Sequence, residues 1–169
     1  YGYFRSAKQM PKVAVITGEN NPSAKKWATR EHVDAVYMNA KDKSLALAHF
    51  CEKHSLQPKE VAFFYDDILD IPVAEKAGLR FCVGRLANPL FLKYVENHHL
   101  ADYISAAQGN EHAVREFSEL VLALLDQHFE VISSRAKYDG DYDTFIKQRQ
   151  QNQSQFYLFN GSNFEETND

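Results

Sequence analysis

Val61-Ala62-Phe63-Phe64-Tyr65-Asp66-Asp67-Ile68-Leu69-Asp70 decides how the fold is read, because five apolar or aromatic residues run without a break into three aspartates. An uninterrupted apolar run of that length predicts a strand buried on both faces, as in the middle of a parallel sheet covered by helices. The acids come where that strand stops. Asp66 and Asp67 are adjacent and Asp70 lies one helical turn on, so the three repel one another unless a cation or hydrogen-bond donors compensate. Hard oxygen ligands at the carboxyl end of a strand suit Mg²⁺. The plainer alternative is that Asp66 or Asp67 caps a helix beginning near Asp70, with Ile71-Pro72 in its first turn.

Working outward in both directions, strand and helix patterns alternate. Lys12 to Thr17 predicts a buried strand ending in the polar turn Gly18-Glu-Asn-Asn-Pro22, and the pattern is helical from Ser23 to His32. Asp34 to Met38 is a second strand, followed by a helix from Lys43 to about His54. Beyond Asp70 a helix to Gly78, a strand over Leu79 to Val83, a helix opened by Asn88-Pro89 and a short strand at Asp102 to Ser105 complete the series. The longest helical pattern, from Glu111 to about Ser133, carries Val114, Phe117, Val121, Leu124 and Leu125 on one face. Trp27 is expected in the core, and Lys25 and Lys26 on a solvated helix face.

About five alternations predict an α/β fold, a doubly wound, mostly parallel sheet with helices on both faces. Ligands of such sheets bind outside the carboxyl ends of the strands. That rule selects Thr17, which closes one strand, Lys43, which follows the next, and Asp66 with Asp67, which close the third. A hydroxyl, a cation and paired carboxylates suit phosphoryl transfer, where positioning and charge neutralisation carry most of the catalysis.

The 169 residues, 44% of them hydrophobic, suffice for one ordinary domain. Residues 1–133 are expected to form it, and 134–169 an extension, partly helical and then mobile, in which the aromatic patch Phe156-Tyr-Leu-Phe159 docks on the domain or on a neighbouring subunit. A net charge of −4 speaks against nucleic acid or an anionic membrane as partner. No apolar run approaches the roughly 20 residues of a membrane span, and no basic-then-apolar signal opens the chain, so the expectation is a soluble cytoplasmic protein. Cys51 and Cys82 fall inside regular elements and are expected as free, buried thiols. The histidine spacings (His49 and His54; His98-His99) do not suit a shared zinc ion.

Val15-Ile-Thr-Gly18, Lys41-Asp-Lys43, the run from Val61 to Asp70 and Ala113-Val-Arg-Glu116, in that order, resemble the cap-less phosphatases of the haloacid dehalogenase superfamily, and within it the 3-deoxy-D-manno-octulosonate 8-phosphate phosphatase type. The resemblance covers about residues 1–127. It implies a Mg²⁺-dependent phosphomonoesterase acting on a small sugar-acid phosphate, assembled as a homotetramer. Thr17 would hydrogen-bond the transferring phosphoryl group with Gly18 beside it, and Lys43 would stabilise its charge. Asp66 would bind the metal, and Asp67 and Asp70 would support the metal site and orient Lys43. Residues 109–115, with Arg115, fall where a substrate-proximal loop is expected.

The resemblance also implies a first strand ending in an Asp-x-Asp pair, of which one aspartate attacks phosphorus and the other acts as general acid and base. No aspartate precedes Thr17 in the sequence. The chain starts at Tyr1 rather than Met, which leaves room for an upstream segment carrying that pair; the alternative is a non-catalytic binding or assembly module. The run Asp139-Gly-Asp141-Tyr-Asp143 follows no apolar strand, and with Thr144 and Gln150 at positions six and twelve it does not make a calcium loop. Tyr65 stands where the family has a small glycine, which would narrow the rim. Glu19 replaces a common arginine, and Asn110 and His112 replace loop glycines. A receiver-like phosphoacceptor domain would need its acid pair earlier in the chain.

Overall fold

The computed structural model describes residues 1–138 and 140–167. Two compact units emerge, residues 1–39 with 119–169 and residues 40–118, in place of the expected core over 1–133 followed by an extension.

In the first unit, α1 (Gly2–Ala7) precedes β1 (Ala14–Ile16), α2 (Pro22–Glu31) and β2 (Ala35–Met38). α2 begins where Asn21 Oδ1 accepts from Ala24 N at 3.1 Å, with Pro22 in the first turn, and stops where His32 takes a φ of 57°. Its buried residue is Ala28, so Trp27, about 100° around the helix, is 45% exposed rather than in the core.

β1 pairs with β2 in parallel, and β6 (Gln155–Phe159) lies parallel on the other side of β2, so that β2 is buried at every residue. β7 (Phe164–Thr167) returns antiparallel to β6. The stretch expected to trail off is therefore part of a sheet, as far as Thr167. Tyr157 stacks on Tyr37 with ring centroids 4.9 Å apart, and Phe156 and Leu158 pack against Ala28, Val33, Val36 and Met38. The aromatic patch thus docks on its own chain, because a parallel neighbour on β2 buries apolar side chains on both faces. The polar end residues Asn168 and Asp169 lie outside the described residues.

The long helix expected over 111–133 is two helices, α6 (Ala113–Leu124) and α7 (His128–Lys137), separated where Asp126 adopts a φ of 53°. α8 (Gly140–Gln151) carries the amide-rich run, with Asp141 and Asp143 in its first turn. Asp139, the start of the Asp-x-Asp run, lies outside the described residues.

The second unit holds α3 (Lys43–His54), β3 (Ala62–Tyr65), α4 (Ile71–Ala74), β4 (Leu79–Cys82), α5 (Pro89–Asn97), β5 (Tyr103–Ile104) and the start of α6. Its three strands are parallel, in the order β3-β4-β5. β3, expected in the middle of a sheet, pairs with β4 alone among the described residues, which leaves Phe64 38% exposed. On one face Tyr65, Ala74, Cys82, Val95 and Leu100 form a core. On the other the fully buried Phe117 gathers the rings of Phe64, Phe81 and Tyr103 at centroid distances of 5.4, 5.1 and 5.9 Å. Phe117 is the anchor of α6, whereas Val114 and Leu124, expected on its buried face, are 60% and 71% exposed. Cys51 and Cys82 are free and buried. No helix among the described residues is long and apolar enough to cross a membrane.

Candidate active site

Thr17 and Gly18 follow β1 in the first unit. The Thr17 backbone N–H donates to the Tyr37 carbonyl at 2.8 Å, and its hydroxyl accepts from the Glu19 N–H at 3.4 Å. A Cβ built on Gly18 meets nothing within 4 Å, so the chain leaves open space at this strand end.

The other predicted site residues belong to the second unit, and four of them converge at the carboxyl end of β3. Lys43 is the first residue of α3, whose start is fixed by Asp42: its Oδ1 accepts from Ser44 N at 2.9 Å and from Ser44 Oγ at 2.7 Å. The Ser44 hydroxyl holds the Asp42 carboxyl below its ordinary range. The Lys43 ammonium is thereby aimed at Asp70, with which it forms an ion pair; 16% and 4% of their side-chain surfaces are exposed. The second oxygen of Asp70 accepts from the backbone N–H groups of Asp66 and Asp67 at 3.4 and 3.2 Å.

The three aspartates expected around one ion do not share one task. Asp70 is occupied by Lys43 and by the backbone of the β3 turn, while Asp67 accepts from Ile68 N at 2.6 Å and caps the 3₁₀ turn at Ile68–Asp70. The capping alternative therefore holds for Asp67. Among the described residues no three His, Cys, Asp or Glu side chains are grouped as metal ligands. Asp66 is different: its carboxylate, 37% exposed, is paired with the guanidinium of Arg85. Mg²⁺ commonly takes one or two carboxylates and completes its shell with water and phosphate oxygens, so Asp66 fits as one member of such a set.

Tyr65 does not narrow the rim. Its side chain turns into the core, where the hydroxyl donates to the Leu100 carbonyl at 2.9 Å and burial pushes its pKa up. Arg115 is exposed in the first turn of α6. The residue beside it, Glu116, fixes the loop after β5: its carboxylate accepts from Ala106 N at 2.9 Å, Ala107 N at 2.8 Å and the Tyr103 hydroxyl at 2.7 Å. The Ala107 and Ala106 N–H groups, then the Tyr103 hydroxyl, hold its carboxyl below the usual range.

Arg85 and Glu116 are the residues that sequence reasoning missed. Arg85 follows β4 by three residues, so the strand-end rule that selected Lys43 and Asp66 also selects it. Glu116 was visible only as the last letter of a motif. A cavity of about 240 Å³, lined by Gly84, Arg85, Leu86, Pro89, Leu92 and Ile104 among others, opens beside Arg85.

No family model matches the chain. Over 110 residues it is 33% identical to the 3-deoxy-D-manno-octulosonate 8-phosphate phosphatase of Escherichia coli strain K12, a match covering 65% of this chain and 55% of that protein. The chain thus spans little more than half the length of the curated relatives it matches. The crystal structure of the phosphatase of that name from Yersinia pestis superposes with a TM-score of 0.63 at 30% identity, covering 76% of this chain and 65% of the other. The Moraxella catarrhalis phosphatase in complex with magnesium, phosphate and a KDO molecule superposes with a TM-score of 0.64, covering 79% of this chain and 72% of that one; at 23% identity it speaks for the fold alone. The fold is of the haloacid dehalogenase type.

Proposed function

We propose, taking the similarity to 3-deoxy-D-manno-octulosonate 8-phosphate phosphatases as premise, that the chain belongs to the haloacid dehalogenase superfamily and serves a Mg²⁺-dependent phosphomonoesterase acting on a sugar-acid phosphate, 3-deoxy-D-manno-octulosonate 8-phosphate being the first candidate. The observation that carries this reading is the division of labour at the end of β3: a buried Asp70 holds Lys43 in place and leaves Asp66 able to take a cation.

In this reading Lys43 neutralises a phosphoryl oxygen, and its ammonium is oriented before substrate arrives because Asp70 has already ordered it. For Thr17 the similarity implies a hydrogen bond to a phosphoryl oxygen, and the open space at Gly18 suits a ligand at that strand end. Asp66 holds the magnesium ion, which supplies charge neutralisation at the phosphate when bound. Asp67 keeps the turn that presents Asp66. Arg115 and the loop pinned by Glu116 border the leaving group. A cytoplasmic homotetramer belongs to the same proposal.

The chemistry also needs an attacking carboxylate, which the sequence does not offer ahead of Thr17. β1 and β3 each have one edge without a strand partner among the described residues, and an Asp-bearing strand would find main-chain partners at such an edge. The substituted loop, with Asn110 and His112 in place of glycines, favours a second reading, a module that keeps the ion and the phosphate ester but does not turn it over. Phosphate release from 3-deoxy-D-manno-octulosonate 8-phosphate by the full-length protein, with and without millimolar Mg²⁺, tests both. Mg²⁺-dependent turnover supports the first. Ester binding with no release, under conditions where a known phosphatase turns over, would leave the second.

A further inference from the structure

Asp66 is matched by a cation that belongs to the chain itself. Arg85 stands 19 positions further on, and its backbone is tightly constrained. The Gly84 N–H donates to Ser105 Oγ at 2.9 Å, and a Cβ on Gly84 would fall 2.3 Å from the Ser105 carbonyl oxygen, so only glycine allows β4 and β5 to approach so closely just before Arg85. Ser105 Oγ in turn donates to the Ala107 carbonyl at 2.6 Å, tying this point to the loop that Glu116 holds. Arg85 is therefore launched from a rigid point toward the end of β3.

The side chain itself reaches into solvent. Arg85 and Asp66 expose 47% and 37% of their side-chain surfaces, a setting in which an ion pair contributes little to stability. The cavity of about 240 Å³ beside it, with Leu86, Pro89, Leu92 and Ile104 on its wall, gives the aliphatic stem an apolar surface to lie along when the guanidinium leaves. A fork of donors matched to a carboxylate, a low cost of separation and a nearby place to go are together the features of a displaceable counter-ion.

We propose that Arg85 is a competitor for the divalent cation at Asp66: it neutralises the carboxylate while the ion is absent, and the ion binds only by displacing it. Arg85 sets how tightly the metal is held and is not itself a metal ligand. The inference rests on the proposed role of Asp66, and the test separates the two.

Mn²⁺, which takes the same oxygen ligands and is read directly by the loss of its free-ion resonance, is titrated into the intact protein and into R85Q, R85K and D66N, each first checked for native circular dichroism. R85Q removes the charge and is expected to tighten Mn²⁺ between about twofold and tenfold, from loss of the pair and of a like charge beside the ion. R85K keeps the charge without the fork and stays closer to the unsubstituted protein. D66N weakens Mn²⁺ strongly. An R85Q affinity unchanged or weaker, or an R85K gain equal to that of R85Q, overturns the competition while leaving Asp66 as ligand if D66N still loses the ion. D66N binding as tightly as the unsubstituted protein removes the metal assignment at Asp66, and the competition with it.

Discussion

Replacing Lys43 with methionine removes an ammonium and keeps most of the apolar stem, so it isolates the charge that Asp70 was folded around. With only 4% of the Asp70 side chain exposed, and 16% of Lys43, water screens the pair weakly, and removing one partner of a buried pair costs about 3–5 kcal/mol. Two features lower that figure: Asp70 keeps its backbone donors at 3.4 and 3.2 Å, and the Lys43 end retains some access to water. The expected loss for K43M is about 2–3 kcal/mol. D70N should lose a similar amount, and K43M/D70N, with no buried charge left unmatched, should lose about 1–2 kcal/mol less than the sum. Since the chain forms two units, the readout is hydrogen exchange at the β3 amides, which reports opening of this unit by itself. A K43M loss below about 0.5 kcal/mol, or strict additivity in the double variant, would refute the idea that Asp70 exists to hold Lys43.

Two other expectations follow from the geometry. Because hydrogen bonds depress the Glu116 carboxyl in the folded chain, its contribution is present above the ordinary glutamate range, near pH 4.3, and is lost as pH falls through the depressed value. E116Q should therefore cost on the order of 1 kcal/mol at neutral pH, with solvent screening allowed for, and the gap between the two melting curves should close on acidification; a gap constant down to pH 3 would contradict the role. Burial pushes the Cys82 thiol up to about 11, so a thiol reagent at pH 8 should label it about two orders of magnitude more slowly than free cysteine, which mass spectrometry of the labelled peptide checks, fast native labelling being the contrary result.

Alternating patterns, strand ends and caps were legible in the sequence because they depend on near neighbours. Apolar runs gave β2 and β3, Pro22 marked the start of α2, and the strand-end rule brought Thr17, Lys43 and Asp66 to attention without any coordinates. What only the tertiary structure decided is which of these groups remain available. The pairing of Lys43 with Asp70, 27 positions apart, was implied by the family resemblance alone; Arg85 and Asp66 are 19 apart, and nothing in either local stretch says that this carboxylate carries a guanidinium. The aromatic patch was legible as a docking segment but not as a strand: Gln155 to Phe159 is short and follows a polar run, and it becomes a strand only because β2, some 120 residues earlier, offers it an open edge and an apolar surface, while Phe164–Thr167, expected to be mobile, pairs in turn with β6. Local sequence chooses among backbone conformations of similar energy, whereas the burial and lone-pair occupancy of each side chain are settled by whichever distant residues the closed fold brings against it.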